Sequence, residues 1–290
     1  MHARAVAATT TALVGVVALL LPVHDARAGI VGQPSVIAHR GASAQAPENT
    51  LAAVDAAADL GVRWVENDVQ RTKDGTLVVI HDDSLSRTTD VEDVFPGRAP
   101  WKVKDFTAAE VARLDAGSWF GPAYAGARVP TLGEYVRRVE HHDQKLLLEV
   151  KNPELYPGIE ADTLKVLADE GWLDGEHLAG RLIVQSFSAG SLRAVHDLEP
   201  SVTTGVLGKP AVRDLPGYAA FADLINPSYV SLTAGYVSAV HAVTGPHGSP
   251  LRIFVWTVDD ASTARRMAGY GVDGVITNRP DVVARALYWH

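Results

Sequence analysis

The chain has 290 residues, 47% of them hydrophobic and 21% charged, with a formal net charge of −8 and no cysteine. The lack of cysteine excludes disulfide stapling, a thiol nucleophile and a thiolate zinc site, and the acidic balance argues against a nucleic-acid-binding surface. What remains is a chain that must rely on its apolar core and is long enough for one large α/β domain.

Residues 1–28 read as a cleaved signal peptide. Arg4 supplies the positive start, residues 5–23 carry no charge, and Ala26-Arg27-Ala28 forms a small-x-small cleavage site. The apolar run approaches the length that spans a bilayer, so a membrane anchor is the competing reading. The flanks favour cleavage, and the expectation is a secreted protein without stable membrane insertion, whose working part is residues 29–290.

The first short apolar run, Val36-Ile37-Ala38, ends on His39-Arg40-Gly41. One helix later a second run ends on Glu66-Asn67-Asp68, and a third, residues 77–80, ends on His81-Asp82. Asp74-Gly75 is a hairpin signal, so residues 65–70 and 77–81 are predicted to pair antiparallel, with Asp68 nearly opposite His81. Residues 84–130 are rich in Gly and Pro and hold one convincing helix, 108–114. This is too long for an ordinary connection and predicts a lid or small cap.

Regular alternation follows. Thr131 and Glu134 make a capping box for a helix over 132–141, and the buried strand 146–148 ends on Glu149-Val150-Lys151. A helix over 159–170 stops at Gly171, and strand 182–184 runs into Gln185-Ser186-Phe187. After a helix over 190–198, strands are predicted at 204–207, 229–232, 253–256 and 274–277, with a last helix over 281–289. Taking 77–80 as an extra antiparallel strand leaves eight, which reads as a TIM (β/α)8 barrel with an irregular insertion.

In such a barrel the ends of the strands carry the chemistry. Glu66 and Asp68 are two apart on a strand and share a face, while Glu149 ends a wholly apolar one, where an unpaired carboxylate is costly. Three inward carboxylates suit a hard divalent cation, Mg²⁺ or Ca²⁺, over zinc. Ion pairs to Arg40 and Lys151 are the plainer alternative. His39 and His81, at equivalent strand ends beside the same carboxylates, suit an acid–base pair. Arg40 and Lys151 can hold a phosphate. Trp256 and Phe187 can wall a small ligand or simply pack in the core.

With these residues laid out, the sequence resembles the glycerophosphodiester phosphodiesterase family. The matching motifs are His39-Arg40-Gly41, Pro47-Glu48-Asn49-Thr50, Glu66-x-Asp68-Val69, Thr72-x-Asp74-Gly75, His81-Asp82, Leu85-x-Arg87-Thr88-Thr89 and Glu149-Val150-Lys151. Their joint order is specific where each alone is weak. The resemblance implies a TIM barrel with an insertion after the second histidine. It also implies a divalent metal on Glu66, Asp68 and Glu149, an acid–base pair of His39 and His81, and phosphate binding by Arg40 and Lys151. The expected reaction releases sn-glycerol 3-phosphate and an alcohol from a small glycerophosphodiester, with no protein partner implied. Asn278 stands where the family often has aspartate, outside the expected ligand set. Competing readings are a phosphoinositide-cleaving barrel, a glycerol-phosphate polymer hydrolase, a non-catalytic binding barrel, and a lysophospholipid-cleaving barrel with an apolar groove from Trp119, Phe120 and Tyr124.

Overall fold

The computed structural model describes residues 1–2 and 32–289, so nearly all of the expected signal peptide lies outside the described residues. Eight parallel strands close a barrel: β1 (Ser35–Ala38), β2 (Trp64–Arg71), β4 (Lys145–Val150), β5 (Leu182–Ser186), β6 (Thr203–Leu207), β7 (Leu224–Asn226), β8 (Arg252–Val255) and β9 (Gly274–Thr277). Pairing of β1 with both β2 and β9 completes the ring, and β3 (Leu77–Val79) adds antiparallel to β2 outside it.

Side-chain alternation along each strand does the positioning. Ile37, Trp64, Leu147, Ile183, Leu224, Phe254 and Ile276 fill the barrel interior. Two residues onward on the same faces come His39, Glu66, Glu149, Gln185, Asn226 and Trp256, and Asp68 lies two beyond Glu66. Each apolar residue in the interior thus sits beneath a polar or aromatic one at the rim. Gly274 is required by this packing: a Cβ there would stand 2.5 Å from the Phe254 ring and 2.9 Å from Ile37 Cδ1.

The outer faces of the strands and the apolar faces of the helices form the larger core, which includes Val65, Val69, Leu146, Leu148, Val184 and Val275. Among the described residues seven helices of eight or more residues surround the barrel, and the expected capping box at Thr131–Glu134 is present at the start of Leu132–His141. Glu134 N donates to Thr131 Oγ1 at 3.2 Å and Thr131 N donates to Glu134 Oε2 at 2.8 Å, an arrangement worth about 1 kcal/mol. The predicted last helix is found as Pro280–Tyr288. Among the described residues no helix is long and apolar enough to cross a membrane.

Two sequence expectations are corrected. The seventh strand is Leu224–Asn226, and residues 229–231 form a 3₁₀ turn. Burial explains the difference: Leu224 and Ile225 are fully buried, whereas Val230 is 77% exposed despite its higher strand propensity. The predicted helix 108–114 is shorter, Ala108–Val111. The insertion is not an open loop. Val91, Val103, Phe106, Val111, Leu114 and Val129 pack with Val78 and Ile80 of the hairpin into a separate small core.

Candidate active site

The carboxylate cluster follows from strand register. Asp68 pairs with Glu149 and Glu66 with Leu147 in the β2–β4 ladder, so Asp68 and Glu149 stand side by side with Glu66 one layer below. All three are buried, and one oxygen of each lies within 4.8 Å of the others. Burial and mutual repulsion push the Glu66 carboxyl well above its ordinary range and Glu149 up to about 7. Asp68 is also desolvated, yet Arg40, His81 and Lys151 hold it below the usual value.

Both sequence alternatives for this cluster are present together. Lys151 Nζ lies 2.8 Å from Glu149 Oε1 and 3.8 Å from Asp68 Oδ1, and Arg40 Nε lies 3.4 Å from Asp68 Oδ2. These two cations face three carboxylates and leave Glu66 Oε1 and Asp68 Oδ1 buried without a hydrogen-bond partner. A donor set made only of oxygens, with two oxygens unsatisfied, fits a hard divalent cation.

Arg40 takes a left-handed backbone (φ 58°), which turns its N–H onto Glu66 Oε2 at 2.8 Å. Next to it Gly41 (φ 77°) lies against helix α1 (Leu51–Asp59), and a Cβ there would meet the Ala53 backbone at 2.6 Å. Asn49, also left-handed (φ 60°), donates from Nδ2 to Asp68 Oδ2 at 2.8 Å.

Each histidine is held by its Nδ1. His39 Nδ1 lies 2.7 Å from Asn278 Oδ1, and its Nε2 is 4.0 Å from Glu66 Oε2. Burial, reinforced by Arg40, pushes the ring down to about 4, so it is neutral at pH 7. His81 Nδ1 lies 2.6 Å from Asp82 Oδ1, while its Nε2 is 3.2 Å from Lys151 Nζ. The hairpin places Asp68 opposite Ile80, whose N–H donates to Asp68 O at 2.9 Å, so His81 falls one step past the expected position. Gln70 secures that bend by donating to His81 O at 2.9 Å.

All nine residues singled out in the sequence are brought together, and all but Asp68 line one cavity. A cavity of about 120 Å³ is lined by His39, Arg40, Glu66, His81, Glu149, Lys151, Phe187 and Trp256, with Gln185, Leu207, Thr257 and Ile276. Trp256 packs on the interior core and meets Phe187 edge-to-face at 5.8 Å between centroids. Phe187 is 58% exposed and lines the cavity outside the core. Trp119, Phe120 and Tyr124 pack edge-to-face, and Tyr124 Oη donates to Gln45 O at 2.7 Å.

Sequence reasoning gave no role to Glu48, Asn49, Asp82, Arg87 or Gln70, and set Asn278 aside. Glu48, Asn49, Asp82 and Arg87 fall inside the matched motifs, which was the only signal available. Glu48 meets Arg87 and Asn49 meets Asp68 only after folding, whereas Asp82 pairs with its chain neighbour His81.

The sequence profile of the glycerophosphoryl diester phosphodiesterase family matches residues 39–282. A glycerophosphodiester phosphodiesterase from Caldanaerobacter subterraneus is 38% identical over 252 residues, covering 86% of this chain and 95% of that one. A putative one from Bacillus subtilis, YhdW, is 36% identical over 255 residues, covering 86% and 96%. Among solved structures, an Oleispira antarctica phosphodiesterase in complex with the product sn-glycerol-3-phosphate superposes with a TM-score of 0.72 at 31% identity, covering 88% of this chain and 96% of that one. The chain therefore belongs to the glycerophosphoryl diester phosphodiesterase family.

Proposed function

We propose that this enzyme hydrolyses small glycerophosphodiesters to sn-glycerol 3-phosphate and an alcohol, with His39 as general base and His81 as general acid. The observation that carries the assignment is the paired orientation of the two rings. Each has its Nδ1 against an acceptor, which leaves Nε2 as the working nitrogen in the small cavity beside the carboxylates, that of His81 resting 3.2 Å from Lys151 Nζ. The Oleispira relative, solved with that product, supports the product class.

In this mechanism Arg40 and Lys151 bind the non-bridging phosphate oxygens. His39, neutral at physiological pH, takes the proton of the attacking oxygen at Nε2, and Asn278 keeps the ring from rotating as charge develops. His81, whose Nδ1 faces the Asp82 carboxylate, is protonated at Nε2 once Lys151 turns from that nitrogen to the phosphate, and gives this proton to the departing alcohol oxygen. Phe187 and Trp256 border the glycerol-sized cavity and exclude water from part of it. Glu66, Asp68 and Glu149 hold Mg²⁺ or Ca²⁺, which when bound supplies positive charge to the phosphate.

The test is release of glycerol 3-phosphate from glycerophosphocholine by the purified protein, first with EDTA and then with Mg²⁺ or Ca²⁺ restored. Release that EDTA stops and one ion restores is expected. His39→Ala and His81→Ala are each expected to lose about 10²–10⁴-fold. Near-normal turnover in both variants would overturn the acid–base assignment, and EDTA-insensitive turnover by protein shown to be metal-free would overturn the metal. The leader-like residues 1–28 support export; recovery of the protein only inside cells, with its N-terminus intact, would refute that.

A further inference from the structure

Arg87 lies at the start of the insertion, outside the mechanism, and its guanidinium makes four hydrogen bonds to two carboxylates. Nε donates to Asp82 Oδ2 at 2.5 Å and Nη2 to Asp82 Oδ1 at 3.1 Å. Nη1 donates to Glu48 Oε2 at 2.9 Å and Nη2 to Glu48 Oε1 at 2.8 Å. Both carboxylates hold a residue of the site in turn. Asp82 Oδ1 is the acceptor for His81 Nδ1, and Glu48 Oε1 accepts from Arg40 Nη1 at 2.8 Å.

We infer that Arg87 is a positioning residue, a two-forked clamp through which the insertion sets the phosphate arm (Arg40) and the second histidine (His81) in register. The inference rests on the reaction proposed above. Arg87 and Arg40 compete for Glu48. While Arg87 occupies both Glu48 oxygens, Arg40 holds Glu48 through Nη1 alone, lines the cavity, and keeps its Nε 3.4 Å from Asp68. Without Arg87, Glu48 is free to grip Arg40 with both oxygens and draw it off the cavity. On the other side Asp82 loses the fork that fixes its rotamer, and with it the support behind His81. Exposed ion pairs are ordinarily worth little, but bidentate arginine networks are the exception, and a lysine cannot span two forks.

The geometry therefore predicts a change in both kinetic constants from one substitution: a raised KM through Arg40 and a lowered kcat through His81. The experiment is steady-state hydrolysis of glycerophosphocholine by wild-type, Arg87→Ala and Arg87→Lys proteins, with methylguanidinium or methylammonium added at non-denaturing concentrations. Both variants are expected to lose about tenfold or more in kcat/KM. Methylguanidinium, and not methylammonium, is expected to restore part of the loss in Arg87→Ala. Kinetic constants within twofold of wild type in both variants would overturn the clamp. So would a loss in kcat alone that tracks a lowered Tm and ignores methylguanidinium, since that marks a purely structural role. A wild-type protein without activity overturns the reaction and not the clamp; the ¹⁵N spectrum of His81 then decides, an unchanged Nδ1 environment in Arg87→Ala refuting it.

Discussion

Asn278 presents its oxygen, not its nitrogen, to His39 Nδ1. The orientation is fixed from behind: Asn278 Nδ2 lies 2.8 Å from Asp259 Oδ2, an acceptor with no proton to give, so Oδ1 must be the atom 2.7 Å from the ring. Ser43 Oγ donates to the same oxygen at 3.0 Å. An oxygen at Nδ1 requires the ring proton to be there, which leaves Nε2 as the nitrogen able to accept one.

Two substitutions test this link. Asn278→Asp sets a second carboxylate against Asp259 and is expected to cost about 10–100-fold in kcat, as changes behind a working histidine do. Exchanging the pair, Asn278→Asp with Asp259→Asn, restores one acceptor for the ring and one donor behind it, and is expected to recover most of the activity. Recovery no better than the single variant would refute the tautomer argument.

Glu149 is held at about 7 against an ordinary 4.5, so the folded protein binds its proton more tightly than the unfolded chain. Stability therefore falls as pH rises from about 4.5 through about 7, by the linkage of proton binding to folding. His39, pushed down to about 4, contributes with the opposite sign over an overlapping range. A difference measurement isolates the carboxylate. Metal-free Glu149→Gln is expected to melt at a higher temperature than wild type above pH 7 and at the same temperature near pH 4.5, while being inactive. Added Mg²⁺ or Ca²⁺ should raise the wild-type Tm more than that of the variant. A Tm difference that is constant with pH would contradict the assignment.

Asn49 reaches Asp68 from the loop ahead of α1 and occupies Oδ2, leaving Oδ1 without a hydrogen-bond partner. Asn49→Ala is expected to weaken divalent-ion affinity about 10–100-fold, read by calorimetric titration of metal-free protein. Unchanged affinity would show that Asp68 needs no such anchor.

Gly41→Ala tests the backbone at the end of β1. The added methyl meets the Ala53 backbone at 2.6 Å in a left-handed conformation, so helix or loop must move. The expected loss is about 1–3 kcal/mol in a denaturant titration, with activity falling further because Arg40 is the neighbouring residue. A variant with wild-type stability and turnover would show that α1 can shift without disturbing the site.

The barrel and the centre of its site were legible because both depend on local pattern. The first four short apolar runs end on an ionisable group, and side-chain alternation makes the faces predictable from residue spacing alone: Glu66 and Asp68, then Glu149. The seventh strand was missed because Leu224-Ile225 is a two-residue apolar signal between Asp223 and Asn226, weaker than Tyr229–Ser231, and only its barrel neighbours bury it. Asn278 looked remote because it lies 239 positions from His39 in the chain. The same holds for Arg87, which sits 39 positions from Glu48. Neither contact follows from spacing; both require the closed ring that brings β9 to β1 and the hairpin to the first loop.

The hairpin also gives the mouth of the barrel a direction. β2 runs past the end of β1, and β3 pairs with its overhang at Val69, Gln70 and Arg71, so that side is built up by the hairpin and the packed insertion behind it. Toward β4 and β5 there is no such wall. There the cavity adjoins a groove of about 320 Å³ that shares Glu149, Lys151 and Phe187 with it and continues over Asn152, Pro153, Glu154 and Ser188. Under the proposed reaction, a diester at the histidines would extend its leaving alcohol along this low flank, away from the hairpin, and tolerance for large headgroups would be one-sided, set by where the extra strand was added.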